Sequence, residues 1–229
     1  MTVSILQSNY IPWKGYFDLM RRSDVFVVYD HVQYTRNDWR NRNVIKSVHG
    51  KMWLTIPVRV QGLNQTIEQT TVSNQLWRRK HWMSLVSTYG RTPGFRLYRD
   101  VIEGLYLDSK EENLSRINIK FINTICQILE INTRVVLSSE IEFERGQTEA
   151  LVDICKQLSA RGYLSGPAAK AYLNMELFSE NNIHVDWMEY KGYREYPQPF
   201  GQFIHNVSIL DLIFCTGNDA KSFLMPLDE

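Results

Sequence analysis

Polar and aromatic side chains of the kinds that bind small molecules follow the first apolar run of the chain. Residues 3–6 are apolar, and the stretch "SNYIPWKGYFDLMRRSD" (residues 8–24) comes directly after a glutamine. Amide, hydroxyl and ammonium groups bind polar ligand atoms, and aromatic rings stack on a base or a sugar. The residues that could line such a site are Gln7, Asn9, Tyr10, Trp13, Lys14 and Tyr16. Alternatively, the three aromatic side chains only pack the helix that follows.

Two further segments offer groups that bind anions. One follows the second apolar run and continues into the basic stretch "RNDWRNRN" (residues 36–43), and the other is the Ser-Gly-Pro sequence of residues 165–167 at a predicted helix start. Free amides at helix starts bind phosphates, and arginine binds them with two parallel hydrogen bonds. The residues concerned are Asp30, Gln33, Arg40, Arg42, Ser165, Gly166 and Lys170. Together with Lys14, the two arginines are predicted to bind an anion. Alternatively, the arginines form a solvated face and residues 165–167 are an ordinary turn.

His205 is the first candidate for acid–base chemistry among the five histidines. It lies just before a predicted helix, so burial on the apolar stripe of that helix is not required. Imidazole titrates near neutral pH and can accept a proton from a substrate. Asp30 is the second candidate. Ser208 and Asp211 match a capping box, which is a structural explanation for Asp211. The chain contains no metal-binding, P-loop or dinucleotide motif.

The elements that must position these residues alternate between strand and helix at both ends of the chain. Residues 3–6 and 24–30 read as buried strands, with an amphipathic helix over residues 12–22 between them. A βαβ unit of this kind has parallel strands and a right-handed crossover. Later strands are predicted at "RVVLSSE", "YLSG" and "IHVDWMEY", and later helices over residues 148–160, 168–180 and 208–217.

The middle of the chain has a different pattern. Residues 43–58 predict a hairpin with its turn near His49 and Gly50, and residues 76–90 and 113–130 have helical periodicity. We therefore predict a single α/β domain over residues 1–229, an open Rossmann-like, mostly parallel sheet with a hairpin and helical insertion over residues 35–130. In such sheets, ligands bind beyond the carboxyl ends of the strands, where the three polar segments are expected to meet.

Composition limits the classes of function. The chain has 229 residues, a net charge of +1 and 44% hydrophobic residues, so nothing points strongly to nucleic acid, and no run is long enough to span a membrane. Its three cysteines have no metal-site spacing and are expected to be buried thiols. The start of the chain does not resemble a signal peptide, so a cytoplasmic protein is expected.

Four ordered motifs resemble the WbqC-like protein family. They are "QSNYIPWKGYFDLMRRSDVFVVYDHVQYTRNDWRNRNVIK", "WLTIPV", "YLSGPAAKAYL" and "SILDLIF" followed by a glycine, and the resemblance covers nearly the whole chain. Such proteins are typically encoded in bacterial O-antigen (lipopolysaccharide) and surface-polysaccharide clusters. The resemblance implies a role in building a sugar or its substituent, with transfer of glycine or another acyl group to an amino sugar as the suggested reaction.

The first 34 residues are also similar to the start of the nucleotidyltransferase and pantothenate-synthetase superfamily. The similarity lies in the apolar strand, the P-x-x-G-aromatic helix start, the second strand and the V-Q-Y that follows. That superfamily has a histidine after the glycine that contacts ATP, whereas Gly15 here is followed by Tyr16. ATP and an acyl donor are therefore both open as cofactors.

Three functions are compatible with these observations. The first is a transferase or ligase that adds an acyl or aminoacyl group to a nucleotide-linked amino sugar. In it, Tyr10 and Trp13 stack on the ligand, the basic groups and residues 165–166 hold phosphates, His205 or Asp30 takes the amine proton, and Asn9 or a backbone amide meets the oxyanion. The second is a non-catalytic binding or assembly protein, for which a homo-oligomer is also compatible. The third is a tRNA-dependent aminoacyl transferase.

Overall fold

The computed structural model describes residues 1–144 and 146–225, which form nine strands and seven α-helices. The strands are β1 (Thr2–Leu6), β2 (Val25–Val28), β3 (Arg42–Ser47), β4 (Gly50–Thr55), β5 (Val58–Arg59), β6 (Thr71–Val72), β7 (Arg134–Leu137), β8 (Gly162–Ser165) and β9 (His184–Trp187). The helices are α1 (Lys14–Arg21), α2 (Leu76–Tyr89), α3 (Pro93–Leu107), α4 (Leu114–Ile128), α5 (Thr148–Gln157), α6 (Met175–Glu180) and α7 (Ile209–Thr216). Within this part of the chain, no helix is long and apolar enough to cross a membrane.

Five strands form a parallel sheet in the order β7-β2-β1-β8-β9. Residues of β1 pair with β2 on one side, as Val3 does with Val25, and with β8 on the other, as Val3 does with Tyr163. From β1, the chain adds β2 and then β7 on one side of the sheet. It then crosses back and adds β8 and β9 on the other side of β1. This order creates a topological switch point between β1 and β8 and confirms the predicted open, mostly parallel α/β sheet.

Alternate residues of the central strands pack into two separate apolar cores. In β2, Val25 and Val27 belong to one core, and Phe26 and Val28 belong to the other. Since successive side chains in a strand point to opposite faces, the two cores lie on opposite faces of the sheet. Helices α5 and α6 cover the first core, and α1, α2, α3, α4 and α7 contribute to the second.

The segment between β2 and β7 contains the predicted hairpin and helices. Strands β3 and β4 pair antiparallel with Ser47 opposite Gly50, so the turn falls at Val48 and His49 as expected. A second, two-residue pair joins β5 to β6. Helix α3 was not predicted, because no helix or strand was assigned to its residues from the sequence.

The predicted single helix over residues 168–180 is wrong. The structure has a 3-10 helix at Pro167–Ala171 and then α6, which starts again after Asn174. The Asn174 side chain accepts hydrogen bonds from the backbone amides of Glu176 and Leu177. This N-cap separates the two segments, because it satisfies the free amides of a new helix start.

Replacing Gly94 by alanine is expected to destabilise the protein by about 3 kcal/mol, because α3 passes very close to α7 at this residue. A Cβ atom at Gly94 would overlap the carbonyl oxygen of Ile213 and lie 2.7 Å from the amide nitrogen of Gly217. Gly104 in the same helix is the matched control, since its Cβ would meet only the Asp108 side chain, at 3.3 Å. Gly104→Ala should be neutral or stabilising by up to about 1 kcal/mol. Urea denaturation of both variants measures the difference, and equal effects would contradict the close approach.

Candidate functional site

The segment that follows β1 is held in place by buried hydrogen bonds from several elements. The hydroxyl of Tyr16 donates to the carbonyl oxygen of Gln7 (3.1 Å), and the amide of Ser8 donates to Asp30 Oδ1 (2.8 Å). Asn118 of α4 donates to the Ser8 hydroxyl (3.1 Å). The carboxyl end of β1 is therefore fixed by α1, by the residue after β2 and by the insertion.

Two later residues of this segment, Tyr10 and Ile11, are fixed by the hairpin and by the loop before it. The Asn43 side chain donates to the carbonyl oxygens of Tyr10 and Ile11, both at 3.0 Å, and the Tyr10 amide donates to the carbonyl oxygen of Trp39 (2.9 Å). Ile11 has φ = 37°, which is strained for a β-branched residue and requires such support. The insertion thus contributes directly to the shape of the site.

A cleft of about 600 Å³ lies at the switch point, beyond the carboxyl ends of β1 and β8. We call it the switch-point cleft. Gln7 lines it from the end of β1, and Ser165 and Gly166 line it from the end of β8. Tyr29 and Tyr172 are further lining residues. Gln7 of the first polar segment and Ser165 and Gly166 of the third therefore line one cleft, and its use as a ligand site remains a prediction.

A second hollow of about 810 Å³ adjoins the switch-point cleft, because both are lined by Tyr29 and Gly146. We call it the His31 hollow, since His31 lies on its wall together with Gln33 and Glu68. Gln33 donates a hydrogen bond through its amide to a backbone carbonyl of the neighbouring loop. The two hollows together follow the carboxyl edge of β8, β1 and β2.

His31 is held between a hydroxyl and a carboxylate. Its Nδ1 lies 2.7 Å from Ser138 Oγ, and its Nε2 lies 3.6 Å from Glu68 Oε2. Ser138 directly follows β7 and is buried, whereas the His31 side chain is 40% exposed and accessible from the hollow. An accessible imidazole that is oriented through Nδ1, with Nε2 free of a hydrogen bond to the described residues and near a carboxylate, has the arrangement of a general base.

His31 was not among the site residues predicted from the sequence. Asp30 and Gln33 were predicted from the segment after β2, whereas the partners of His31 are distant from it in sequence. His31 could have been found from its position in the chain. It follows the carboxyl end of β2, and Ser138 follows the carboxyl end of β7, which is the neighbouring strand in the sheet.

Asp30 has a structural environment. It is 4% exposed, and its oxygens accept hydrogen bonds from the Ser8 amide and the Ser115 hydroxyl. It connects the end of β2 to the end of β1 and to α4. Its place in the fold supports a positioning role.

Tyr10 and Tyr16 are buried in the core. They therefore fit the alternative interpretation of the sequence, in which these aromatic side chains only pack the first helix. The Tyr10 hydroxyl lies 2.9 Å from His81 Nδ1 and 2.6 Å from the Tyr106 hydroxyl. Burial raises the pKa of both Tyr10 and Tyr16 well above the usual value, and it lowers the pKa of His81 to about 4. These groups are neutral at physiological pH and stabilise the core.

Lys14 lies in an aromatic cage rather than at an anion site. Its Nζ is 4.6 Å from the centre of the Tyr193 ring, 5.4 Å from Tyr196 and 5.6 Å from Phe203. The side chain is 2% exposed, and within the described residues Nζ has no hydrogen-bond partner. Burial lowers the pKa of Lys14 to about 8, although the charges of Asp18, Asp211 and Glu195 act in the opposite direction.

Lys14 is expected to give the protein a pH-dependent stability. Its pKa falls from 10.5 in the unfolded chain to about 8 in the folded one. Between these values the unfolded chain binds more protons, so the free energy of unfolding should rise as the pH increases from about 8 to 10.5. Below about pH 8 the destabilising effect of the buried charge is fully present. Lys14→Met should remove this rise. Urea denaturation across that range compares the two proteins, and equal pH dependence would contradict a buried, titrating ammonium group.

The remaining basic residues do not converge on one anion site. Arg40 donates a hydrogen bond to Asn9 Oδ1 and lies 3.4 Å from Asp38, and Arg42 stacks 4.3 Å from the centre of the Trp53 ring. Lys170 lies over Trp187 at 5.3 Å. The predicted α-helix start at Gly166 is a five-residue 3-10 helix, which has no comparable dipole.

His205 is exposed on the long loop between β9 and α7. Its Nε2 lies 4.0 Å from Glu195 Oε1, and its ring contacts Phe203 with centroids 4.6 Å apart. A role of His205 as a general base therefore remains a prediction. In the described part of the chain, its ring has no orienting partner at hydrogen-bond distance. Ser208 caps α7 by accepting from the Leu210 amide, but Asp211 makes no capping bond of the kind predicted.

The three cysteines are confirmed as buried free thiols. Burial raises the pKa of Cys126 and Cys155 to about 12 and also raises that of Cys215. They are therefore protonated at neutral pH, which does not suit a nucleophile.

Comparison with known proteins agrees with the motifs. The sequence model of the WbqC-like protein family matches residues 7–223. The uncharacterized protein Rv1507c of Mycobacterium tuberculosis (strain ATCC 25618 / H37Rv) is 44% identical over 223 residues, which cover 97% of this chain and 96% of that protein. No solved structure matches the chain, so the similarity to the nucleotidyltransferase and pantothenate-synthetase superfamily remains a prediction. The match covers every lining residue of the His31 hollow and all those of the cleft except Ile5 and Leu6, and the chain belongs to the WbqC-like protein family.

Proposed function

We propose that the protein is a transferase or ligase that adds an acyl or aminoacyl group, for example glycine, to an amino sugar. The observation that carries this proposal is the position of His31, held between Ser138 and Glu68 in a hollow that adjoins the switch-point cleft. Open α/β sheets bind ligands at such a switch point. A role in O-antigen or surface-polysaccharide synthesis, in the cytoplasm, is supported by family membership.

His31 acts as the general base in this proposal. Its Nε2 accepts a proton as the amine nitrogen of the sugar attacks the carbonyl carbon of the activated acyl group. The nearby Glu68 carboxylate stabilises the imidazolium that forms, and the Ser138 hydroxyl fixes the ring orientation. When the tetrahedral intermediate collapses, the leaving group departs and takes the proton from His31, so that an amide bond has formed and the base is neutral again.

The switch-point cleft supplies the binding groups. Gln7, Gln147 and Ser165 can hydrogen-bond hydroxyl or phosphate oxygens, and Tyr29 and Tyr172 offer ring faces. The volumes of the two adjoining hollows, about 600 and 810 Å³, support a nucleotide-linked amino sugar, together with ATP or a preformed acyl donor, as the ligands in this proposal.

Ligand-induced shifts of the melting temperature test the proposal. Nucleotides and UDP- or dTDP-linked amino sugars should raise the melting temperature, because a ligand that binds only the folded state stabilises it. Gly166→Phe should abolish the shift. Gly166 lines the cleft, and a Cβ atom there has only the Tyr190 hydroxyl nearby, at 3.7 Å, so a phenyl ring can be introduced at the cleft wall without straining the backbone.

Gly62→Phe is the matched control, because Gly62 is equally open but lines a different hollow. It should keep the ligand-induced shift. Absence of any shift, together with association that increases with protein concentration, would instead support a non-catalytic binding or assembly protein.

A further inference from the structure

We propose that the protein has a second ligand site, which binds a pyranose ring. The site is a pocket of about 360 Å³ lined by Trp13, Trp39 and Trp53, and we call it the tryptophan pocket. It shares no lining residue with the switch-point cleft or the His31 hollow. The proposal concerns binding alone and does not depend on the transfer reaction.

The three indole rings come from separate parts of the chain. Trp13 precedes α1, Trp39 lies in the loop after β2, and Trp53 belongs to β4. Trp39 and Trp53 are stacked with their centroids 5.6 Å apart and an interplanar angle of 29°. They are 45% and 47% exposed, although burial of such large rings would be favourable. Core packing therefore does not explain why both rings stand at the surface.

The stack is preorganised by its neighbours. The Arg42 guanidinium lies 4.3 Å from the centre of the Trp53 ring, and its Nε is buried. This places a cation, Trp53 and Trp39 in one connected assembly. A rigid aromatic surface costs little entropy to order when a ligand binds.

Trp13 is fixed with equal precision by a glycine. A Cβ atom at Gly15 would lie 2.7 Å from Cε2 of the Trp13 ring, so the indole rests directly on the helix backbone. Tyr190 and Tyr193 contact its other side, with centroids 5.0 and 5.9 Å away. This contact explains the glycine in the "PWKGY" sequence, because a larger residue there would displace the Trp13 ring that lines the pocket.

The polar groups of the pocket suit hydroxyl groups. Asn9 accepts from Arg40 through its Oδ1, which leaves its amide NH2 group available as a donor. Asn206 has an exposed side chain that makes no hydrogen bond with any other described residue, and Lys51 lies on the same rim. Neutral amides at the edge of an aromatic wall can bond the hydroxyls of a sugar whose C–H face packs on the electron-rich ring.

A nucleobase fits this geometry less well. A base would also stack on an exposed aromatic ring, but Trp39 and Trp53 already stack on each other and cannot enclose a base between them. Only outward ring faces remain for a ligand, and a pyranose needs one such face.

Intrinsic tryptophan fluorescence tests the proposal. Methyl glycosides of glucose, galactose, glucosamine and N-acetylglucosamine serve as saccharide probes, with adenosine and uridine as base probes. At least one methyl glycoside should change the emission saturably, and the nucleosides should not compete with it. Trp39→Ala and Trp53→Ala should each weaken that binding by about tenfold or more.

Matched variants separate this site from others. Trp187→Phe removes a tryptophan that lines a different hollow, and it should leave the affinity unchanged. His31→Ala should also bind the glycoside normally, so failure of the proposed reaction would leave this result intact. Gly15→Ala should weaken binding although every tryptophan is retained, because it displaces Trp13.

Two results would overturn the proposal. One is the absence of saturable binding by every methyl glycoside in the wild-type protein. The other is glycoside binding that is unaffected by Trp39→Ala and Trp53→Ala. Saturable binding of a nucleoside that these two variants abolish would identify the pocket as a base site instead.

Discussion

His31→Ala is expected to reduce turnover by about 10²–10⁴-fold while leaving the fold intact, because a general base typically contributes this much to the rate. The side chain is 40% exposed, so its loss should cost about 1–2 kcal/mol of stability, mostly because the buried Ser138 hydroxyl loses its hydrogen-bond partner. The measurement is the rate of amide formation from an acyl donor and a nucleotide-linked amino sugar, with a melting curve for each protein.

His205→Ala is the matched control for this prediction. Both histidines are exposed, but of the two only His31 has a ring nitrogen at hydrogen-bond distance from an orienting side chain. His205→Ala should keep both the melting temperature and the turnover. If His205→Ala lost turnover and His31→Ala kept it, the hypothesis made from the sequence would be right, and the role assigned to His31 would be wrong.

Asp211→Ala is expected to destabilise the protein by about 3–5 kcal/mol, because two buried hydroxyls would lose their acceptor and the half-buried Gln198 amide would lose one of its acceptors. The Asp211 carboxylate accepts from the hydroxyls of Tyr89 (2.6 Å) and Tyr196 (2.7 Å) and from the amide of Gln198 (2.7 Å). These partners belong to α2 and to the long loop before α7. The carboxylate therefore connects the insertion to the end of the chain.

Asp211→Asn is the control, since it retains one acceptor oxygen and the same shape. Its loss of stability should be about half as large, because hydroxyl groups can rotate to accept from the new amide. Urea denaturation provides both values. A loss below about 1 kcal/mol for Asp211→Ala would show that the three donors find other partners or water, and the network would then be unimportant for stability.

The sheet could be predicted because its signals are local. The run "VFVV" is buried on both faces, and the helix that precedes it has one apolar stripe, so the strands and their parallel pairing follow from periodicity. The ends of α2 and α7 are marked by Gly90 and Gly217. Helix α3 was missed, since its sequence contains two glycines, one of which is required by the close approach to α7.

That the polar segments line a ligand site remains a prediction, but their positions after the carboxyl ends of the strands were predictable for the same reason. The roles of individual side chains were not. Lys14 looks like a surface cation in the sequence, but rings from a loop about 180 residues later enclose it. The ring of His31 is oriented by Ser138, which is 107 residues away in sequence. Such contacts depend on tertiary packing, which no local pattern records.

A crystal structure with a bound nucleotide-linked amino sugar tests the central claim most directly. We expect density for the nucleotide beyond the carboxyl ends of β1 and β8, in contact with Gln7 and Gly166, and the amine of the sugar within hydrogen-bond distance of His31 Nε2. A complex in which the nucleotide binds elsewhere and the switch-point cleft stays empty would contradict the claim.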